Sequence, residues 1–211
     1  MVRRSGALLV ACLMLGWAGA GSAYERLPGG LARLTPEQAL DRVKANEGES
    51  ETHIVLSTRK VWDRSHDVEG GHLSDVHLRA LVDRRDGSAR YELWHELDLY
   101  GDSREITGLT YRLDGRSKGT IPVRVERSDE TCPSVESPPA ACHLRIRAVF
   151  EIPDHVLQKV AESYRPGSHA PWQLQFTDNR GGRIASGLAP VEVIGLRASV
   201  QQLRCTGIQV C

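Results

Sequence analysis

The stretch "SDVHLRALVDRRDGSARYELWHELDLY", residues 74–100, decides the fold. Its apolar residues return at every second position, the period of a strand with one buried face. Val76, Leu78, Ala80 and Val82 fall on one side, and Asp75, His77, Arg79 and Asp83 on the other. Further on, Ala89, Tyr91, Leu93, His95, Leu97 and Leu99 share a face, with Arg90, Glu92, Trp94, Glu96 and Asp98 opposite. Between the two runs stands Asp86-Gly87, a strong hairpin signal. A two-residue turn there predicts Val82 opposite Tyr91, Ala80 opposite Leu93 and Val76 opposite Leu97. On the polar face it predicts Asp83 opposite Arg90, Arg79 opposite Trp94, His77 opposite Glu96 and Asp75 opposite Asp98. A slip of one residue would invert both faces.

The same period extends outward. "THIVLSTRKVW" reads as a strand before the hairpin. Thr107, Leu109, Tyr111 and Leu113 form one stripe, and Ile121, Val123 and Val125 a second, with "DGRSKG" as the expected turn. "HLRIRAVFEI" alternates through Leu144, Ile146, Ala148, Phe150 and Ile152. "WQLQFTD" points Trp172, Leu174 and Phe176 inward and turns at residues 179–182 into "RIAS". Helical spacing occurs in "TPEQALDRVKAN", where Thr35 caps, Pro36 opens and Gln38 completes a capping box. It occurs again in "PDHVLQKVAESY". Residues 190–203 fit either helix or strand, because Val193, Leu196, Val200 and Leu203 have helical spacing while Gly195 and the β-branched residues weaken it. These patterns predict an α+β fold, predominantly antiparallel, as a meander or sandwich with two or three packed helices.

The N-terminus carries an address. Arg3 and Arg4 precede an apolar run, Ala7 to Ala20, that is too short to span a bilayer. Small residues then fit cleavage after Ala23 or Ala20. Residues 1–23 are expected to be a secretory signal peptide and 24–211 one exported, sheet-rich domain, periplasmic or secreted. Leu9-Val10-Ala11-Cys12 also resembles a lipobox, which leaves a lipoprotein anchored at Cys12 as the alternative. The apolar run continues past Cys12, which favours release. Losing Arg3 and Arg4 lowers the 27 basic side chains to 25 against 27 acidic ones, a net charge of −2. Acidic and basic residues interleave, so no nucleic-acid footprint is present.

Four cysteines remain in the exported part: Cys132, Cys142, Cys205 and Cys211. In an oxidising compartment an even number points to disulfides. Of the three pairings, proximity favours Cys132 with Cys142 and Cys205 with Cys211. Loops this small would contribute roughly 2–3 kcal/mol each in the chain-entropy model.

Familiar catalytic signatures are missing. The chain has no G-x-S-x-G elbow, Walker loop or dinucleotide fingerprint. "HELDL" at 95–99 begins like a zinc-protease motif, but Leu99 replaces the second histidine and the segment has strand period. Both methionines, Met1 and Met14, lie in the signal, which excludes a methionine-rich copper site.

Three local features invite a reading. Trp94 lies on the polar face opposite Arg79, as a surface cation–π pair or as part of a partner interface. His95 lies on the apolar face, where a core histidine with a satisfied hydrogen bond is expected, and Trp62 and Trp172 are expected in the core. The predicted register brings Asp75, His77, Glu96 and Asp98 together, with His66 and His72 within reach, as a weak candidate for zinc or manganese. The preferred reading of that set is a solvated polar face. Function is therefore expected to be a non-catalytic binding or interaction module of inhibitor, immunity or envelope-accessory type, with another envelope or extracellular protein as partner and no cofactor. The alternative is a periplasmic hydrolase or metal-dependent enzyme whose site is assembled from distant residues.

Overall fold

The computed structural model describes residues 26–46, 48, 50–68, 71–100, 104–130 and 143–206. Residues 1–23, read as a signal peptide with Cys12 as the alternative anchor, and Cys132, Cys142 and Cys211 lie outside these residues, so both predicted cysteine pairings do too. The elements run α1 (Gly29–Ala32), α2 (Pro36–Arg42), β1 (Lys44–Asn46), β2 (His53–Ser57), β3 (His66–Val68), β4 (Gly71–Asp83) and β5 (Ala89–Tyr100). They continue with β6 (Ile106–Leu113), β7 (Arg116–Thr120), β8 (Arg124–Glu130), β9 (His143–Glu151), α3 (Asp154–Glu162), β10 (Trp172–Asp178), β11 (Arg183–Leu188) and α4 (Pro190–Thr206). The strands form two antiparallel sheets. The larger has the order β1-β2-β4-β5-β9-β8, with β3 also paired to β4; the smaller has the order β11-β10-β6-β7. The fold is α+β and mainly antiparallel. Among the described residues no helix is long and apolar enough to cross a membrane.

The central hairpin forms, with both faces as predicted but a different register. Ala80 pairs with Tyr91, Leu78 with Leu93, Val76 with His95, His77 with Trp94 and Asp75 with Glu96. The ladder is shifted by two residues from the one a two-residue turn would impose. The turn explains it. A type I′ turn needs positive φ at both central residues, and of Asp86 and Gly87 only Gly87 is left-handed, at 70°. Aspartates stabilise a longer turn instead: Asp83 Oδ1 accepts from Arg85 N at 2.7 Å and Asp86 Oδ1 from Ser88 N at 2.7 Å. The backbone closes between Asp83 N and Ser88 O at 2.8 Å. An even shift preserves the side-chain faces, so Val76, Leu78, Ala80, Val82, Tyr91, Leu93, Leu97 and Leu99 are all buried. Nearer the open end the register moves by one between Leu73 and Asp75. The extra residue keeps Leu73 in the core while Asp75 faces outward.

The second hairpin departs further. Asp114-Gly115 alone makes the turn, with φ of 51° and 73°, so Leu113 pairs directly with Arg116. "RSKGT" is therefore strand rather than turn. Ile121 and Val123 are left exposed, and Val125 joins the larger sheet. At the N-terminus the capping box is present, with Gln38 N to Thr35 Oγ1 at 3.3 Å and Thr35 N to Gln38 Oε1 at 3.1 Å. The helix ends at Arg42, sooner than expected, and Lys44–Asn46 pairs with β2.

Residues 190–206 are helical. Val193, Leu196 and Val200 face the core, and Gly195 permits close approach to α2, since a Cβ there would lie 2.8 Å from the Ala39 carbonyl carbon. A buried pair between Arg64 and Glu192 ties the start of α4 to the loop after β2. Arg64 also donates to Gly187 O at 3.2 Å. The inner face of the larger sheet, the smaller sheet, α3 and α4 share one apolar cluster centred on Leu93, Phe150 and Phe176. Trp172 joins it, and Trp62 is half-buried against a smaller cluster around α1 and α2.

Candidate functional site

The outer face of the larger sheet carries the polar residues, and the strand pairings set them in rows. One row runs Asp75, Glu96, Arg147, Glu126 from β4 to β8, and the next runs His77, Trp94, Val149, Arg124. Asp75 and Glu96 are therefore neighbouring carboxylates, an arrangement that repels unless it is compensated. Arg59, from the loop after β2, compensates it. Its Nη2 lies 2.7 Å from Glu96 Oε2 and its Nε 3.9 Å from Asp75 Oδ2. Arg147 Nε approaches Glu96 Oε1 at 3.7 Å. Asp75 Oδ1 accepts from Val76 N at 2.8 Å.

Trp94 is held on every side. Its Nε1 donates to Glu92 Oε2 at 2.9 Å. The Arg79 guanidinium lies 3.9 Å from the ring centroid, that of Arg124 lies 5.3 Å away, and His77 stacks at 6.1 Å. Arg79 Nε points to His77 Nε2 at 3.4 Å, which leaves the ring proton on Nδ1, 3.0 Å from Asp75 Oδ2. That last contact is short but off-line for a hydrogen bond. The predicted cation–π pair between Arg79 and Trp94 is present, but diagonally: Arg79 is registered with Glu92 and Trp94 with His77. Trp94 is consequently buried beneath guanidinium groups rather than displayed.

The same register changes the facing pairs predicted for the metal candidate, and its four residues, expected on a solvated face, are buried. Asp75 faces Glu96, not Asp98, and His77 faces Trp94, not Glu96. Asp98 is bound by Arg145 Nε at 2.8 Å and by the Ser74 hydroxyl. His72 Nδ1 lies 2.9 Å from Asp67 Oδ1, and His66 Nδ1 2.9 Å from Arg64 O. Among the described residues no group of three or more His, Cys, Asp or Glu side chains is arranged to hold a metal ion.

Exposure divides this face by charge. The side chains of Asp75, Glu92, Glu96 and Asp98 are 10 % exposed or less, whereas their partner arginines range from 31 % for Arg145 to 54 % for Arg90. Four carboxylates form a floor beneath their partner guanidinium groups, while Glu126, 40 % exposed, and the exposed Glu151 face out among them. Between them opens a groove of about 370 Å³, lined by Arg59, Arg79, Trp94, Arg124, Glu126 and Arg147. Arg145 and Arg147 were legible as outward positions in "HLRIRAVFE", and Arg124 and Glu126 in the strand ahead of it. Arg59 is expected within the strand "THIVLSTRKVW", but the strand ends at Ser57, and Arg59 reaches the face from the turn that follows.

On the inner face, His95 is fully buried, with its ring 4.1 Å from Phe176. It is a core histidine as expected, but neither ring nitrogen has a hydrogen-bond partner among the described residues. Burial, with a smaller contribution from nearby His66, pushes its pKa down to about 3. It is therefore a neutral side chain in an apolar core. No family model, curated protein or solved structure matches this chain.

Proposed function

We propose that the chain is a non-catalytic binding module of the periplasm or the extracellular space, and that it meets a partner protein through the outer face of the larger sheet. The observation that carries this reading is the inverted burial of charge. Asp75, Glu92, Glu96 and Asp98 are buried while the guanidinium groups paired with them point out, which leaves fixed donors aimed at an incoming surface. Ion pairing within the floor holds those donors in place before binding, which lowers the ordering cost of association.

The alternative of an exported hydrolase or metal-dependent enzyme needs a free acid, base or nucleophile in the groove. The nearest arrangement is Asp75 with His77, but the far nitrogen of that ring faces Arg79, and the ring has no exposure. The groove-lining Ser50 hydroxyl is turned to its own loop, against Thr52 and His53.

The test is capture from the source organism's envelope fraction on immobilised protein, comparing the wild type with Arg124→Glu/Arg147→Glu. A protein retained by the wild type and lost from the variant is the expected result. Equal retention by both would remove the outer face from the reading.

A further inference from the structure

We propose that the edge strand β8 accepts an extended segment of the partner as an added strand, and that this segment alternates acidic with apolar residues. The inference rests on the reading of the outer face above and names what that face recognises.

β8 ends the larger sheet, and among the described residues it pairs with β9 alone. A terminal strand presents unpaired backbone groups, a ready template for another strand. An added strand sends alternate side chains to opposite faces, so the two faces at this edge set its composition. On the outer face stand Arg124, 49 % exposed, and behind it Arg147, with Glu126 already countered by both at 2.9 and 3.9 Å. An anionic side chain finds the exposed forks of Arg124 and Arg147 there and shares them with Glu126, itself 40 % exposed. On the other face stand Val125, registered with the core residue Ala148 and 38 % exposed, and two residues on Arg127, 48 % exposed and ion-paired to Glu105. Just before it, Val123 and Ile121 are 60 % and 74 % exposed. These three are the exposed large hydrophobic residues among the described part of the chain, and they gather at this edge. An apolar side chain reaching that face would cover surface that the second sheet and the helices leave open.

The probe is the peptide acetyl-(Glu-Val)4-amide, titrated into the ¹⁵N-labelled protein. Controls are acetyl-(Lys-Val)4-amide and the glutamate peptide N-methylated at every residue, which keeps the side chains but cannot complete a strand ladder. Saturable binding is expected, with amide shifts concentrated at residues 123–128. The Kd should be at least about tenfold tighter than for either control, and weakened about tenfold by Arg124→Gln as well as by Arg124→Glu. Absence of saturable binding, shifts centred elsewhere, or equal binding of the N-methylated peptide would overturn the proposal. If these occur while envelope capture is still lost in Arg124→Glu/Arg147→Glu, strand addition falls and the outer-face reading stands. Capture that survives that variant overturns the face reading and this proposal with it.

Discussion

His95 and Glu96 are adjacent in the chain, buried to nearly the same degree, and point to opposite faces of one sheet. His95 meets Phe176 and has no hydrogen-bond partner among the described residues; Glu96 meets two arginines. The inner face is thus closed by apolar packing and the outer face by ion pairing. The two closures respond to different perturbations. Packing is lost when volume is removed. An ion-paired floor is lost when a counter-charge is removed, because the remaining charge stays buried.

The largest effect belongs to the inner face. Phe150 is wholly buried and packs its ring 5.7 Å from Phe176. Phe150→Ala is expected to cost about 3–5 kcal/mol in denaturant unfolding, from lost transfer energy and an unfilled cavity. A cost below about 1 kcal/mol would mean that the two sheets do not share a tight core.

The outer face should respond asymmetrically. Arg59→Ala leaves Asp75 and Glu96 facing each other with Arg147 beside Glu96 and His77 beside Asp75, at an expected cost of about 2–3 kcal/mol; this is below the range for fully buried pairs because Arg59 is half-exposed. Glu96→Gln instead removes one of two repelling carboxylates and leaves arginines that water can solvate, so it should cost less. Equal effects of the two variants in chemical denaturation would show that the carboxylate floor does not need its arginine cover.

His95 separates the faces by pH. Its folded pKa of about 3 lies below the ordinary value of 6.5, so folding favours the neutral ring. That contribution is fully present above pH 6.5 and is lost as pH falls from 6.5 toward 3. Between pH 7 and pH 5 the wild type should lose about 2 kcal/mol more than His95→Leu, since each pKa unit is worth about 1.4 kcal/mol. Parallel stability curves for the two proteins over that interval would contradict a neutral, unsolvated His95.

What the sequence discloses follows from these two closures. Faces are legible because a strand's period is fixed by its backbone, and every apolar position of β4 and β5 named in advance lies inside. Partners across the sheet are less legible. They depend on turn conformation, and the two Asp-Gly pairs are indistinguishable in composition. At Asp114-Gly115 both residues are left-handed and the turn takes two residues; at Asp86-Gly87 flanking aspartate hydrogen bonds favour a longer one. The facing pairs predicted for the metal candidate changed on that difference, because a shift of two replaced each predicted partner while keeping its face. Arg59 falls inside the strand read from "THIVLSTRKVW", but that strand ends at Ser57 and Arg59 arrives from the loop after it, where a side chain obeys no period. Helix and strand could not be separated over 190–203, because what settles it is close packing of Gly195 on α2, a tertiary contact.

The smallest effect tests whether the turn or the faces hold the register. Gly87 has φ of 70° and bonds its amide to Asp83 O at 3.0 Å. A Cβ in that conformation costs about 1 kcal/mol, so Gly87→Ala should lower stability by about that amount. Register is a separate quantity. Slipping by one residue would drive Asp75, Arg79 and Glu96 into the apolar cluster, and slipping by two would part Asp75 and Glu96 from their shared contact with Arg59. Either change costs far more than one strained residue. Nuclear Overhauser contacts between Leu78 and Leu93, and between His77 and Trp94, should therefore persist in Gly87→Ala. Their replacement by contacts from Ala80 to Leu93 and from Arg79 to Trp94 would show that the turn dictates the pairing and that the ionic floor follows it.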